Sequence, residues 1–207
     1  MYALVEDGSI SKLISYPKTM VIGDVRYPAK IFQLWSKSEL NAIGIYEVVT
    51  NSTNFKDEKW YINTNESYAF ADNQVTRSWG TATAKAHADS LYTAQDNTDG
   101  LIPDDKDVGD VKTRGLKYNL IQTIKQQASG LLAPTDWYVV KASEVSDYSV
   151  PTNIATYRAS VRTKSNEMET LITNATDTPA LETLYTYTEQ DDGSVTRPLG
   201  ELPTLEI

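Results

Sequence analysis

The chain has 207 residues, 40% hydrophobic and 23% charged, with a net charge of -9 at pH 7, a balance that suits one or two globular domains with a modest core. That acidity argues against a polyphosphate partner, because nucleic-acid binders gather basic patches that release counterions, and here Lys and Arg are scattered. With no cysteine and the single histidine His87, disulfides, thiolate nucleophiles and most metal chemistry fall away, and folding in a reducing cytoplasm is expected.

The first residues, MYALVEDGSISKLISY, carry acids and a turn where a secretory leader needs a basic end and an apolar run. No segment approaches the ~20 apolar residues that cross a bilayer, so a soluble protein without a membrane partner is expected. The alternation around Asp7-Gly8 predicts a tight antiparallel hairpin. A second turn is expected at Gly23-Asp24, followed by an extended apolar run from Ile31 to Trp35. In SKSELNAIG, Ser36 and Glu39 have capping-box spacing and Gly44 is a terminator, which predicts a short helix. IYEVV then resumes a strand.

Residues 50–58 are polar and read as a loop. KWYIN, SYAFA and QVTRSW are aromatic and β-branched, and predict a meander with a turn at Asp72-Asn73. Thr81 is expected to cap an Ala-rich helix reaching about Gln95. The Asp-rich segment that follows cannot bury enough apolar area to offset its ordering entropy, and is expected to be a linker.

Beyond it the period turns helical. Leu116, Leu120, Ile121, Ile124, Ala128 and Leu131 fall on one stripe. Pro134 ends that helix. Thr135 is placed to cap a second, with Asp136 in its first turn and Trp137 as an expected core plug. Pro151 opens a third, whose apolar face is Ile154, Tyr157, Val161, Met168, Leu171 and Ile172. From Asp177 onward one hairpin signal at Asp192-Gly193 precedes an extended, Pro-containing end expected to lie along a surface, its own or a neighbour's.

The fold class expected is α+β: an N-terminal, mainly antiparallel β meander with short helices (1–95), an acidic linker (96–113), a three-helix bundle (114–176), and a hairpin with an extended tail (177–207). The thirteen tyrosines offer stiff contact area with a polar tip, and suit either interfaces or a Tyr-rich β region. Trp60, Tyr61, Tyr68 and Phe70 are the expected exposed anchors.

Candidates for chemistry are few. His87 lies in an Ala-rich stretch without the three or four convergent ligands a metal needs. The Asp104–Asp107 run lacks the spaced oxygens of a calcium loop. Asp136 with Arg158 or Arg162 can form a bidentate pair between helices, but brings neither a nucleophile nor a base that titrates near neutrality. Nucleophile elbow, phosphate loop and dinucleotide motifs do not occur. The expectation is no catalytic site, no cofactor and no metal.

KIFQLWSKSELNAIGIYEVV and LLAPTDWYVVKASEVSDYSVPTNIATYRASVRTKSNEMETLI resemble segments of tail-associated proteins of double-stranded DNA bacteriophages, in particular the marine and cyanobacterial group. The second is also similar to the C-terminal region of tail-fibre assembly proteins, through Thr135, Asp136, Trp137, Tyr157 and Arg158. This resemblance, over roughly a third of the chain, implies a structural component of a bacteriophage virion in the tail, baseplate or fibre attachment. Such a protein is made in the host cytoplasm and assembles with other tail or fibre proteins and with copies of itself in a symmetric particle. The alternatives are a transient tail-fibre assembly chaperone and, third, a host-glycan-binding module.

Overall fold

The computed structural model describes residues 1–205, which form a mixed α+β protein with an N-terminal region rich in antiparallel sheet and C-terminal helices. The chain divides into two compact units, Met1–Thr83 and the remainder from Ala84, rather than at the acidic segment.

In the first unit, β1 (Tyr2–Glu6) and β2 (Ser9–Ile14) form the expected hairpin. Asp7 and Gly8 both adopt positive φ, 51° and 75°, the geometry a two-residue turn needs to match strand twist. A second hairpin pairs β3 (Met20–Ile22) with β4 (Val25–Tyr27). The run after Pro28 is not extended: α1 (Ile31–Leu34) is a single helical turn, started by Ile31 N–H donating to the Pro28 carbonyl at 3.2 Å. An extended backbone would point the adjacent Ile31 and Phe32 to opposite faces. The helical turn buries both and leaves Leu34 in solvent.

Helix α2 (Lys37–Ala42) has its capping box complete: Glu39 N–H donates to Ser36 Oγ, and the Ser36 N–H returns to the Glu39 carboxylate. The Ser36 N–H, and with it the Ser36 hydroxyl, donate to the Glu39 carboxylate and hold that carboxyl below its ordinary pKa. Strand β5 (Ile45–Thr50) then works in two halves. Ile45 to Glu47 pair antiparallel with β1, and Val48 to Thr50 pair parallel with β8 (Gln74–Ser78). The short β6 (Tyr61–Ile62) and β7 (Ser67–Ala71) lie in the crossover between them. β7 returns against β8 through Asp72 and Asn73, both at positive φ. The order β2-β1-β5-β8-β7 is therefore not a simple meander, because β5 reaches β8 in parallel. Leu4, Ile14 and Ile45 from the sheet meet Met20, Ile31, Phe32 and Leu40 in one core cluster.

Around the start of the second unit the expected Ala-rich helix is instead extended, with β9 (Thr83–Ala84) and β10 (Ser90–Leu91). Ala82, Ala84, Ala86 and Ala88 recur every second residue, which is a strand period and not a helical one. The only helix nearby is α3 (Ala94–Thr98), capped by Thr93 and Asp96. The acidic segment is not a free linker. Strand β11 (Val111–Thr113) pairs with β10, Tyr92 and Asp110 share a backbone bond, and Lys112 grips the Asp96 carboxylate. Lys112 first, then the Thr93 hydroxyl and backbone, lower the Asp96 pKa to about 2.

Helix α4 (Leu116–Leu132) begins after Gly115, and its first amides are taken by the extended segment: Leu116 and Lys117 N–H donate to the Ala86 and His87 carbonyls, each at 3.0 Å. Gly115 N–H donates to Asp89 at 2.7 Å. A Cβ on Gly115 would lie 2.3 Å from the Ala88 carbonyl, so only glycine permits this approach. A 3-10 turn at Ala133–Thr135 leads into α5 (Asp136–Glu144). Helix α6 (Thr152–Asn174) packs along α4 and buries Ile154, Tyr157, Val161, Met168 and Ile172. Leu171, expected on that face, is partly exposed.

The expected three-helix bundle is thus an α4–α6 pair, while every residue of α5 stays at least partly exposed. A further helix, α7 (Thr178–Tyr185), begins where the periodicity loosens. Ala180 N–H donates to Asp177 Oδ1 at 2.8 Å, and Leu181 is fully buried. After the hairpin β12 (Thr188–Glu189) and β13 (Val195–Thr196), Leu202 and Leu205 pack on Ala128, Tyr157 and Val161.

Candidate interaction surface

Pro134 has no N–H, so the last turn of α4 leaves carbonyls short of backbone donors. The adjacent Tyr157 and Arg158 of α6 supply the donors. Tyr157 Oη donates to the Leu131 carbonyl at 3.3 Å, and Arg158 Nη1 donates to the Leu132 carbonyl at 3.0 Å. Arg158 is 7% exposed, which makes it an unusually buried cation, and it holds two further partners. Nη1 also donates to Thr135 Oγ1 at 2.6 Å, and Nη2 lies 2.8 Å from Asp136 Oδ1. A guanidinium at the negative end of α4 and a carboxylate in the first turn of α5 both oppose the helix dipoles favourably. One side chain therefore joins the end of α4, the start of α5 and the middle of α6.

The sequence left Asp136 with two possible partners. Arg158 is the one used, and Arg162 Nη1 instead donates to the Arg158 carbonyl at 3.4 Å. Thr135 does not cap α5 with its hydroxyl as expected; Oγ1 donates back to the Leu132 carbonyl at 2.8 Å and accepts from Arg158. Tyr157 and Thr135 were missed as members of this node. The signal that could have found them is Pro134, which announces carbonyls in need of donors.

Trp137 is not a core plug. It is 52% exposed, because the node turns α5 so that its indole points away from the α4–α6 seam. The ring stacks on Tyr138 with centroids 4.1 Å apart, and Lys141 reaches over it at 5.6 Å and over Tyr148 at 4.3 Å. Val139, Val140 and Val145 are also exposed, with Val140 on the same side of α5 as the indole. The result is a short helix with an exposed indole, anchored by a buried charge.

The anchors expected in the first unit are corrected in turn. Trp60 and Tyr61 are buried, at 3% and 5% exposure, and Tyr68 and Phe70 are half-buried. Phe70 packs on Tyr46 with centroids 4.8 Å apart, and Tyr68 bonds to Glu66. Aromatics at alternate strand positions carry large apolar area, and here it goes into packing.

His87 contributes its carbonyl to the start of α4. Among the described residues no three His, Asp or Glu side chains converge as a metal set, and no helix is long and apolar enough to cross a membrane. Comparison with protein-family models, with curated proteins and with solved structures finds no match to this chain.

Proposed function

We propose that this protein is a structural component of a bacteriophage virion, in the tail, baseplate or fibre attachment, and that it acts by protein–protein assembly in a symmetric particle. The observation that carries this reading is the exposed indole of Trp137 on α5, with Val140 exposed one turn on. Trp and Tyr are the side chains that most often dominate protein–protein contacts. The segment that resembles phage tail proteins contains this helix together with the Tyr157–Arg158 pair that holds it. A fixed platform suits permanent assembly, because a pre-ordered patch loses little entropy on docking.

Purified particles of the encoding phage, analysed by mass spectrometry, contain the chain at a fixed copy number under this reading. A chain absent from intact particles overturns it. The second reading, a transient fibre-assembly chaperone, draws on the likeness of the same helical segment to tail-fibre assembly proteins. It expects rescue of fibre solubility on co-expression, with the chain missing from the finished particle.

A further inference from the structure

The first unit carries a pocket of about 410 Å³ where β1, β5 and β8 meet α2, within the ~300–1,000 Å³ usual for small-molecule sites. None of its lining residues belongs to α5, and it was not among the sites legible from sequence. Three half-buried aromatic rings line it, Tyr2, Trp35 and Tyr46. Each is held by a second ring: Tyr2 packs on Phe32 with centroids 4.9 Å apart, Trp35 meets Tyr27 edge-on at 5.8 Å, and Tyr46 packs on Phe70 at 4.8 Å. Rings fixed in this way present flat apolar area with little rotamer entropy left to lose.

Polar groups surround these rings. Across the β1–β5 ladder Tyr2 lies opposite Glu47, whose carboxylate pairs with Lys37 Nζ at 2.6 Å. Their mutual hydrogen bond lowers the Glu47 pKa and raises that of Lys37, so both remain charged at neutral pH and their charges offset each other. The Asn41 amide nitrogen is turned to donate to the Lys37 carbonyl at 3.1 Å and the Ile45 carbonyl at 2.9 Å, which leaves its oxygen as an acceptor. Gln74, at the start of β8, adds an exposed planar amide with both donor and acceptor.

A ligand matching this lining needs a flat C–H face for the rings and a rim of groups that both donate and accept. It also carries no negative charge, because Asp72 adds a carboxylate to a lining in which Lys37 and Glu47 offset each other. A phosphate or carboxylate ligand would have to compete with Glu47 for Lys37. A proline-rich peptide offers apolar rings and carbonyls, but its prolines have no N–H to give to Glu47 or to the Asn41 oxygen, and acceptors that lose water to the ligand without gaining a donor weaken binding. A pyranose ring meets every requirement. We infer that this pocket binds a neutral saccharide, with the sugar face on Tyr2 and Trp35 and its hydroxyls shared among Lys37, Asn41, Glu47 and Gln74.

The full chain, labelled with nitrogen-15, is titrated separately with the methyl glycosides of glucose, galactose and mannose and with N-acetylglucosamine, while backbone amide shifts are followed. At least one sugar shifts the amides of Tyr2, of residues 35–41, of Glu47 and of Gln74, with a Kd in the ~mM range. Trp35→Ala weakens binding by about tenfold or more. Because Trp35 also packs on the core, Gln74→Ala serves as the second variant: this exposed residue leaves the spectrum of the free protein intact and weakens binding about threefold. The inference is overturned if no sugar moves these amides at concentrations on the order of 50 mM, or if both variants bind like the parent. It is equally overturned if a proline-rich decapeptide moves the pocket and the sugars do not. None of these results bears on whether α5 is an assembly surface.

Discussion

Helices α5 and α6 both show apolar residues at helical spacing, and they end in opposite environments. Helix α6 seals Val161, Met168 and Ile172 against solvent, and its Arg158 reaches out to bond three neighbours. Helix α5 keeps Trp137, Val139 and Val140 in water, although the indole is the largest apolar side chain on either helix. The difference lies in what each helix is attached to. Helix α6 has 23 residues and lies along α4, so each of its turns finds a partner surface. Helix α5 has nine and is tied down only at its first turn. A hydrophobic period states which face would be buried if something covered it, and the covering comes from elsewhere in the chain or from another molecule.

The contrast is open to test from its strongest side first. Ile172→Ala removes a fully buried side chain from α6 and should cost about 2–5 kcal/mol of unfolding free energy, read from urea midpoints; a loss below about 0.5 kcal/mol would mean the seam is not a core. Arg158→Ala removes the donor to Asp136 and to Thr135 Oγ1 and one of the two donors to the Leu132 carbonyl, and should cost about 2–4 kcal/mol. Arg158→Lys should recover less than half of that, because an ammonium cannot reach the carbonyl, hydroxyl and carboxylate in the same fork.

Gly115→Ala places a methyl against the Ala88 carbonyl and should lower stability by about 1–3 kcal/mol, with amide exchange rising first at Leu116 and Lys117. The Asp96 carboxyl, lowered to about 2, predicts a pH effect confined to the acidic segment. Its folded pKa lies below the unfolded one, so the stability it contributes is complete above about pH 4 and is lost as pH falls towards 2. NMR titration should show the Lys112 contact opening in that window, and Asp96→Asn should abolish the dependence. Smallest of all, Trp137→Ala should change stability by less than about 0.5 kcal/mol while removing the assembly contact. A loss of several kcal/mol would put the indole back in the core and end the reading of α5 as an open patch.

Local chemistry was well foretold. The Asp7-Gly8 and Asp72-Asn73 turns, the Ser36–Glu39 capping box and the stop at Pro134 each depend on a few adjacent residues, and each formed where it was read. The pairing of Asp136 with an arginine of α6 was legible as well, down to a choice of two. The errors have two causes. Residues 81–95 looked helical because alanine content was read in place of its two-residue period, whereas Ile31 to Trp35 looked extended and 96–110 looked like a linker because composition was read without knowing what lay opposite.

Sequence alone thus determined the tight turns, the Ser36–Glu39 capping box, most of the buried stripe of α4 and α6 and the candidate ion pair, since these are settled by backbone sterics and by hydrogen bonds within a few residues. Tertiary structure decided which aromatics are buried, which arginine meets Asp136, that β5 joins two strands in opposite senses, and that Tyr2, Trp35, Glu47 and Gln74 share one pocket. Burial and convergence depend on which distant segments arrive at the same place, and no local period carries that information.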